Sequence, residues 1–154
     1  MAIIHEKLYQ NDDMQIELDN YIEQLAKEIH TAYATKEVDL DLRVPANTVF
    51  DIDTAIPLGL IINELITNAF KYGFSVDRQN ILKVELTKDA EYYELVVSDN
   101  GPGIKGDIKT KNTNSLGLHL VKRLSKQLYG KFDYSNDNGA VFSVKFKDTE
   151  MRME

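Results

Sequence analysis

Apolar positions follow three different rhythms along this 154-residue chain. Between 14 and 35, Leu18, Tyr21, Ile22, Leu25, Ile29 and Tyr33 recur every three or four residues with Glu, Lys and Gln between them, which predicts an amphipathic helix. From 38 to 44, Val38, Leu40, Leu42 and Val44 alternate with Asp39, Asp41 and Arg43, which predicts a half-buried strand stopped by Pro45. Residues 55–74, AIPLGLIINELITNAFKYGF, are mostly apolar over a length too great for an ordinary strand. That stretch predicts a helix over 55–73 that is buried on most of its surface, with Asp53 or Thr54 as cap, Pro57 near its first turn and Gly73 at its end.

The remaining segments are shorter. Residues 3–9 predict a short helix, Asn11-Asp12-Asp13 a break, and 47–52 a short extended piece. Residues 81–87 and 92–98 predict two strands joined by Asp89-Ala90-Glu91. The stretch 105–114 is polar, carries three lysines and has no apolar period, so it is expected to be mobile. Ser115 can cap a helix to about Tyr129, with Leu116, Leu120, Leu124 and Leu128 as its apolar stripe and Gly130 closing it. A hairpin over 131–136 and 140–147 turns at Asp137-Asn138-Gly139, and the charged tail beyond is expected to fray. The sum is an α/β (α+β) two-layer sandwich, one mixed sheet with helices packed on one face.

Composition narrows the function. Hydrophobic residues make up 43% and charged residues 28%, as in an ordinary globular domain. A net charge of −7 argues against a general nucleic-acid or anionic-membrane role, although local groups can still hold a small anion. With no cysteine there is no disulfide, no thiolate nucleophile and no Cys-based zinc site, which agrees with a reducing, cytoplasmic setting. No apolar run reaches membrane-spanning length, so no direct membrane contact is expected, and no signal peptide is visible. Met1-Ala2 runs straight into Ile3-Ile4, so a domain excised from a longer protein is expected. His5, His30 and His119 have no metal-ligand spacing.

Three stretches carry chemistry. Glu64, Asn68 and Lys71 lie at i, i+4 and i+7, on one face of the long apolar helix. Burying them without partners is costly, so they pair with one another or face a wet pocket holding a charged ligand. Asp99-Asn100-Gly101-Pro102-Gly103 follows a strand; alone it is either a tight turn with a capping Asp or a close-approach loop with an acceptor at a pocket edge. Ser115-Leu116-Gly117-Leu118 opens a helix, whose free N–H groups can hold a phosphate.

In this order, NELITNAFKYGF (63–74), VSDNGPGI (97–104) and NSLGLHLVKRL (114–124) resemble the N, G1 and G2 boxes of the GHKL superfamily of ATP-binding domains. The chain is most similar to the catalytic domain of sensor histidine kinases, and GAVFSVKF (139–146) is similar to their final strand. IHEKLYQ (4–10) resembles the segment after the phosphoacceptor helix in the HWE-like and light-regulated types. The resemblance implies a Bergerat-type ATP-binding fold with a mostly antiparallel sheet, binding ATP with Mg. It implies that Asn68 coordinates the magnesium between the phosphates and that Glu64 polarises the attacking group or a water. Lys71 and Tyr72 would lie at phosphate, Asp99 would accept from the adenine amino group, and Gly101 and Gly103 would permit close packing beside it. Ile104, Leu116, Gly117 and Leu118 would complete the nucleotide site.

There are departures from the family pattern. No phenylalanine-rich box stands between the glycine boxes, Asn114-Ser115-Leu116 replaces a common Gly-x-Gly, and Ala140 replaces a common hydroxyl residue. The resemblance implies an upstream helical phosphoacceptor region and a response regulator as partners. Residues 1–35 would be a remnant of that region and its linking helix, 36–148 the catalytic domain and 149–154 a tail. An anti-sigma-type serine kinase and a non-catalytic nucleotide-binding module are the alternatives. IHEKLY favours the histidine kinase, and intact Glu64, Asn68 and Asp99 argue against a dead module.

Overall fold

The structure, a computed structural model, describes residues 15–32, 37–75, 77–103, 117–149 and 151. Its first element is a short strand, β1 (Gln15–Glu17), which turns directly into helix α1 (Leu18–Ala32). The amphipathic spacing predicted helix from residue 14. Instead Ile16 pairs with Phe50 in an antiparallel ladder between β1 and β3 (Val49–Asp51), and both side chains are buried. The ladder satisfies backbone groups that would otherwise be orphans of a helix start. Helix α1 buries Leu18, Tyr21, Ile22, Leu25 and Ile29, the predicted face; Tyr33 lies outside the described residues. The short helix expected at 3–9 and the break after it also lie outside them.

The long apolar stretch forms α2 (Ile52–Asn68). It starts earlier than expected, and its cap is neither Asp53 nor Thr54. Asp51 is extended at the end of β3, and its carboxylate accepts from the Thr54 N–H at 3.2 Å. Pro57 therefore sits deeper than the first turn. The buried Tyr21 hydroxyl donates to the Gly59 carbonyl at 3.3 Å and joins α1 to α2. After Asn68 the chain widens into a π-helical turn, Ala69–Gly73, before becoming extended at Phe74.

Strands β2 (Val38–Arg43), β4 (Asn80–Lys88), β5 (Tyr93–Asp99), β6 (Lys131–Asn136) and β7 (Ala140–Phe146) form one sheet in the order β2-β4-β5-β7-β6. The β2–β4 pair is parallel and the other three are antiparallel, so the sheet is mixed and mostly antiparallel, as expected. Alternation sends Leu82, Val84, Leu86, Leu95, Val97, Phe142, Val144 and Phe146 into the core beneath the helices. Residues of the opposite register, such as Lys83, Glu85, Glu94 and Ser143, are less buried; there the Ser143 hydroxyl donates to Glu94 at 2.8 Å.

Helix α3 (Leu118–Gln127) corrects the predicted stripe. Leu118, Val121, Leu124 and Ser125 face the core, with Leu128 just beyond, whereas Leu120 is 40% exposed. Residues four apart drift by about 40° per step around a helix of 3.6 residues per turn, so a run of leucines at that spacing cannot stay on one face. Ser125 is buried in that face with its hydroxyl bonded to the Val121 carbonyl at 2.8 Å. Leu116 lies outside the described residues.

These burials set a stability contrast. Leu65→Ala, fully buried in α2, should lower unfolding free energy by about 2–5 kcal/mol, and Leu120→Ala by under about 0.5 kcal/mol. Urea unfolding of both variants checks it; equal losses would contradict the assigned face of α3.

Candidate functional site

The loop after β5 is built by backbone contact. Asp99, half-buried at the strand end, accepts from the Gly101 N–H at 2.8 Å and more weakly from the Ala140 N–H at 3.4 Å through one oxygen. Asn100 ties the loop to the start of β4: its side chain accepts from Ile81 N–H at 2.9 Å and donates to the Gln79 carbonyl at 2.8 Å. A Cβ added to Gly101 would lie 2.1 Å from the Gly73 carbonyl oxygen, and one on Gly139 would lie 1.9 Å from the Asp99 carbonyl oxygen. A Cβ on Gly73 would lie 2.7 Å from the second Asp99 carboxylate oxygen. Gly73, Asp99, Gly101 and Gly139 thus form one floor without room for a methyl group. Gly103, at φ +83°, lies instead beside the Asn136 side chain. Ala140 supplies an N–H to this floor, a contact that does not need the absent hydroxyl. Burial pushes the Asp99 carboxyl above the usual carboxylate range; the two N–H groups and the nearby Arg78 guanidinium pull it part of the way back.

The second group lies along α2 and its π turn. Asn68 is buried at the end of α2, Glu64 is half-buried, and Lys71 and Tyr72 are exposed on the π turn. The three polar groups predicted on one buried face therefore do not share an environment, because the turn widens after Asn68. The Glu64 carboxylate lies against Gly117, where an added Cβ would be 2.1 Å from Oε2. Gly117 caps α3 at φ 68° without a side-chain cap bond, a backbone conformation that favours glycine. Leu118 is buried in the core. Beside α3 an open hollow of about 730 Å³ is lined by Gly117, His119, Leu120, Lys122, Arg123 and Lys126. Ile104, Leu116, Ser115 and the stretch 105–114 lie outside the described residues.

Four contributors read differently from the sequence alone or carry no signal in it. Gly73 reads in sequence as a helix stop. Gly139 reads as a hairpin residue. The buried Asn80 accepts from Ser75 N–H at 2.9 Å and donates to the carbonyls of Ser75 and Glu37 at 2.8 and 2.9 Å, clamping the segment between the π turn and β4. Arg78 donates to the Gly73 carbonyl. Nothing local in the sequence marks the last two, because their partners are backbone atoms.

Among the described residues no three His, Cys, Asp or Glu side chains come together to hold a metal ion. The donor set at the end of α2 is one buried amide with a carboxylate one turn before it, which suits a magnesium that takes most of its oxygens from phosphate and water. The tight glycine packing holds the Asp99 carboxylate in place, and a carboxylate there is an acceptor that suits the exocyclic amino group of a base.

Residues 53–150 match a family described as the histidine kinase-, DNA gyrase B-, and HSP90-like ATPases. The chain belongs to this family. Residues 1–33 match a second family, described as histidine kinase. The sensor histidine kinase PdtaS of Mycobacterium tuberculosis is 26% identical over 125 residues, which cover 80% of this chain and 25% of PdtaS. The blue-light-activated histidine kinase 2 of Erythrobacter litoralis is 28% identical over 118 residues, 75% of this chain and 34% of that protein. This chain thus spans about a quarter to a third of the length of these curated relatives. Among solved structures, the histidine kinase domain of an Erythrobacter litoralis blue-light activated histidine kinase superimposes with a TM-score of 0.80 at 18% identity, covering 97% of this chain and 72% of that one. The catalytic domain of the histidine kinase ThkA gives 0.66 at 18% identity, covering 87% and 95%. These two likenesses establish the fold.

If Asp99 holds the nucleotide base, Asp99→Asn should weaken ADP binding by about 1–3 kcal/mol, since a buried acceptor becomes a mismatched donor; unchanged affinity by calorimetry would remove Asp99 from the site. In the unmodified chain, ADP affinity should fall with acid in a window that opens above the ordinary carboxylate range, because the acceptor must be ionised. Stability takes the opposite sign. The raised folded value means that ionised Asp99 works against the fold at neutral pH, and that opposition is relieved as pH falls through it.

Proposed function

We propose that this chain is the ATP-binding catalytic part of a two-component sensor histidine kinase, with residues 1–35 the end of the helical phosphoacceptor and linking region, 36–148 the catalytic domain and 149–154 a tail. The observation that carries this reading is that α2 and its π turn run between two candidate ligand groups. Where the π turn ends, the Asp99 carboxylate lies over the glycine floor; one turn before the end of α2, the Glu64 carboxylate lies at the start of α3. The match of residues 1–33 to a histidine kinase family supports the histidine over a serine as acceptor.

In this reading Asp99 accepts from the adenine amino group, and Gly101 and Gly103 let the backbone approach it. Ile104, Leu116 and Leu118 flank the nucleotide. The N–H groups at Gly117, the Lys71 ammonium and the Tyr72 hydroxyl donate to phosphate oxygens; Lys71 and Tyr72 are both exposed. Asn68 would hold magnesium through its amide oxygen. Bound there, the ion would neutralise charge on the transferring group. Glu64 orients or takes the proton of the attacking histidine or of a water. The phosphoryl group then passes to an aspartate of a response regulator. A cytoplasmic setting agrees with the absence of cysteine, and no helix among the described residues is long and apolar enough to cross a membrane.

The test supplies the helical phosphoacceptor region in cis or as a separate chain and follows label from γ-labelled ATP to histidine. The chain alone should bind ATP without labelling itself; acid-labile label on His5 would overturn the upstream acceptor. In the restored reaction Asn68→Ala should reduce magnesium-dependent binding and transfer together. Glu64→Gln should slow transfer at nearly unchanged ATP affinity. Equal loss of affinity in both would overturn this division of roles.

A further inference from the structure

Arg78 lies in the turn that leads into β4, four residues beyond the stretch 63–74 and outside every motif that carries the site. Its guanidinium donates to the Gly73 carbonyl. That carbonyl is the group packed against Gly101, and Gly73 also lies beneath the Asp99 carboxylate. One exposed cation thus holds the backbone contact on which the acceptor rests, in a segment clamped on either side. Asn80 fixes Ser75 on one side of it, and Asn100 fixes Gln79 on the other.

We propose that Arg78 is a positioning residue for the base end of the nucleotide site, holding Gly73 against Gly101 and fixing the acceptor carboxylate of Asp99 above them. This rests on the reading of Asp99 as the base acceptor given above. Arg78 also acts through charge. Asp99 is faced by the N–H groups of Gly101 from its own loop and Ala140 from β7, by uncharged Gly73 from the π turn, and by apolar Leu82 as its register partner on β4. The Arg78 guanidinium is the positive charge acting on it among the described residues, and it favours the ionised form against burial. An ionised carboxylate accepts from an amino group and repels a carbonyl. Arg78 therefore supports discrimination for a base with an exocyclic amino group at that position over one with a carbonyl oxygen there.

Two substitutions separate the two contributions. Arg78→Gln keeps an N–H donor for the Gly73 carbonyl and loses the charge; Arg78→Lys keeps the charge and loses the planar fork. Calorimetry with ADP and GDP across pH, with thermal unfolding to confirm a folded chain, reads the result. In Arg78→Gln the acid loss of ADP affinity should begin at higher pH than in the parent chain, the ADP-over-GDP preference should narrow in that window, and added salt should shrink the difference. Arg78→Lys should keep the parent pH profile while losing about threefold or more in ADP affinity at neutral pH. A uniform weakening of Arg78→Gln with an unmoved pH profile would reduce Arg78 to a structural role and overturn the proposal, as would parent-like behaviour of both variants. If the parent chain binds no ADP, or binds it unaffected by Asp99→Asn, the underlying site reading fails, which is a different result.

Discussion

The contact between the Gly73 carbonyl and Gly101 constrains the rest of the site. Two backbone segments from different elements meet where any side chain at residue 101 would collide with the other's oxygen. Gly73 ends the π turn that continues α2, and Gly101 lies two residues beyond the end of β5. Their approach therefore fixes the long buried helix against the central strand pair at one point. Asp99 is held within that junction by the Gly101 and Ala140 N–H groups, so its orientation follows from the packing of the backbone. Dense packing of this kind resists gradual adjustment, which keeps an acceptor in place before a ligand arrives.

The π turn makes this junction compatible with a regular core. Helix α2 presents Leu58, Ile61, Ile62, Leu65 and Ile66 to the sheet and its neighbouring helices, all fully buried. Continued as an α-helix, residues 69–73 would keep the same rotation per residue. The wider turn changes it, leaving Asn68, Ala69 and Phe70 buried while Lys71 and Tyr72 emerge into solvent and Gly73 reaches Asp99. One wider turn thus converts a core helix into a rim carrying a cation and a phenol. Phe70 and Phe74 meet edge-on with centroids 5.0 Å apart, anchoring the two ends of that turn in the core.

How much of this could be read from sequence depended on whether the partner was a side chain of known spacing or a backbone atom. Alternation placed β2, β4, β5 and β7 within a residue or so of their observed ends, because a strand has one buried face and one register that buries it. The buried nature of α2 was legible from its uninterrupted apolar run. Its start was not, since Asp51, Asp53 and Thr54 are all good caps and the choice fell to the residue left extended by pairing of β3 with β1. The leucines of α3 misled because four-residue spacing drifts around a helix, whereas Leu118, Val121 and Ser125 hold one face. The order and content of the three boxes pointed to Glu64, Asn68, Asp99 and Gly117, which the structure places at the end of α2, beside Gly73 and at the start of α3. Arg78 and Asn80 stayed hidden because each bonds carbonyls that any sequence would offer.

Charge completes the picture, since the chain is acidic overall and its family binds an anion. The −7 is unevenly spread: between Asp107 and Asp133 there are six Lys and Arg and no Asp or Glu. Lys122, Arg123 and Lys126 line the hollow that begins at Gly117, so the positive end of α3 and these exposed side chains share a sign. Glu64 is the anion that rests there, brought in from α2. A carboxylate at a helix N-terminus is favoured for the same reason that a phosphate is. A phosphate held at the start of α3 would lie beside Glu64. On the proposed reading, attraction from α3 and repulsion from Glu64 would act together on a bound phosphate, so net charge is a poor guide to what this domain can hold.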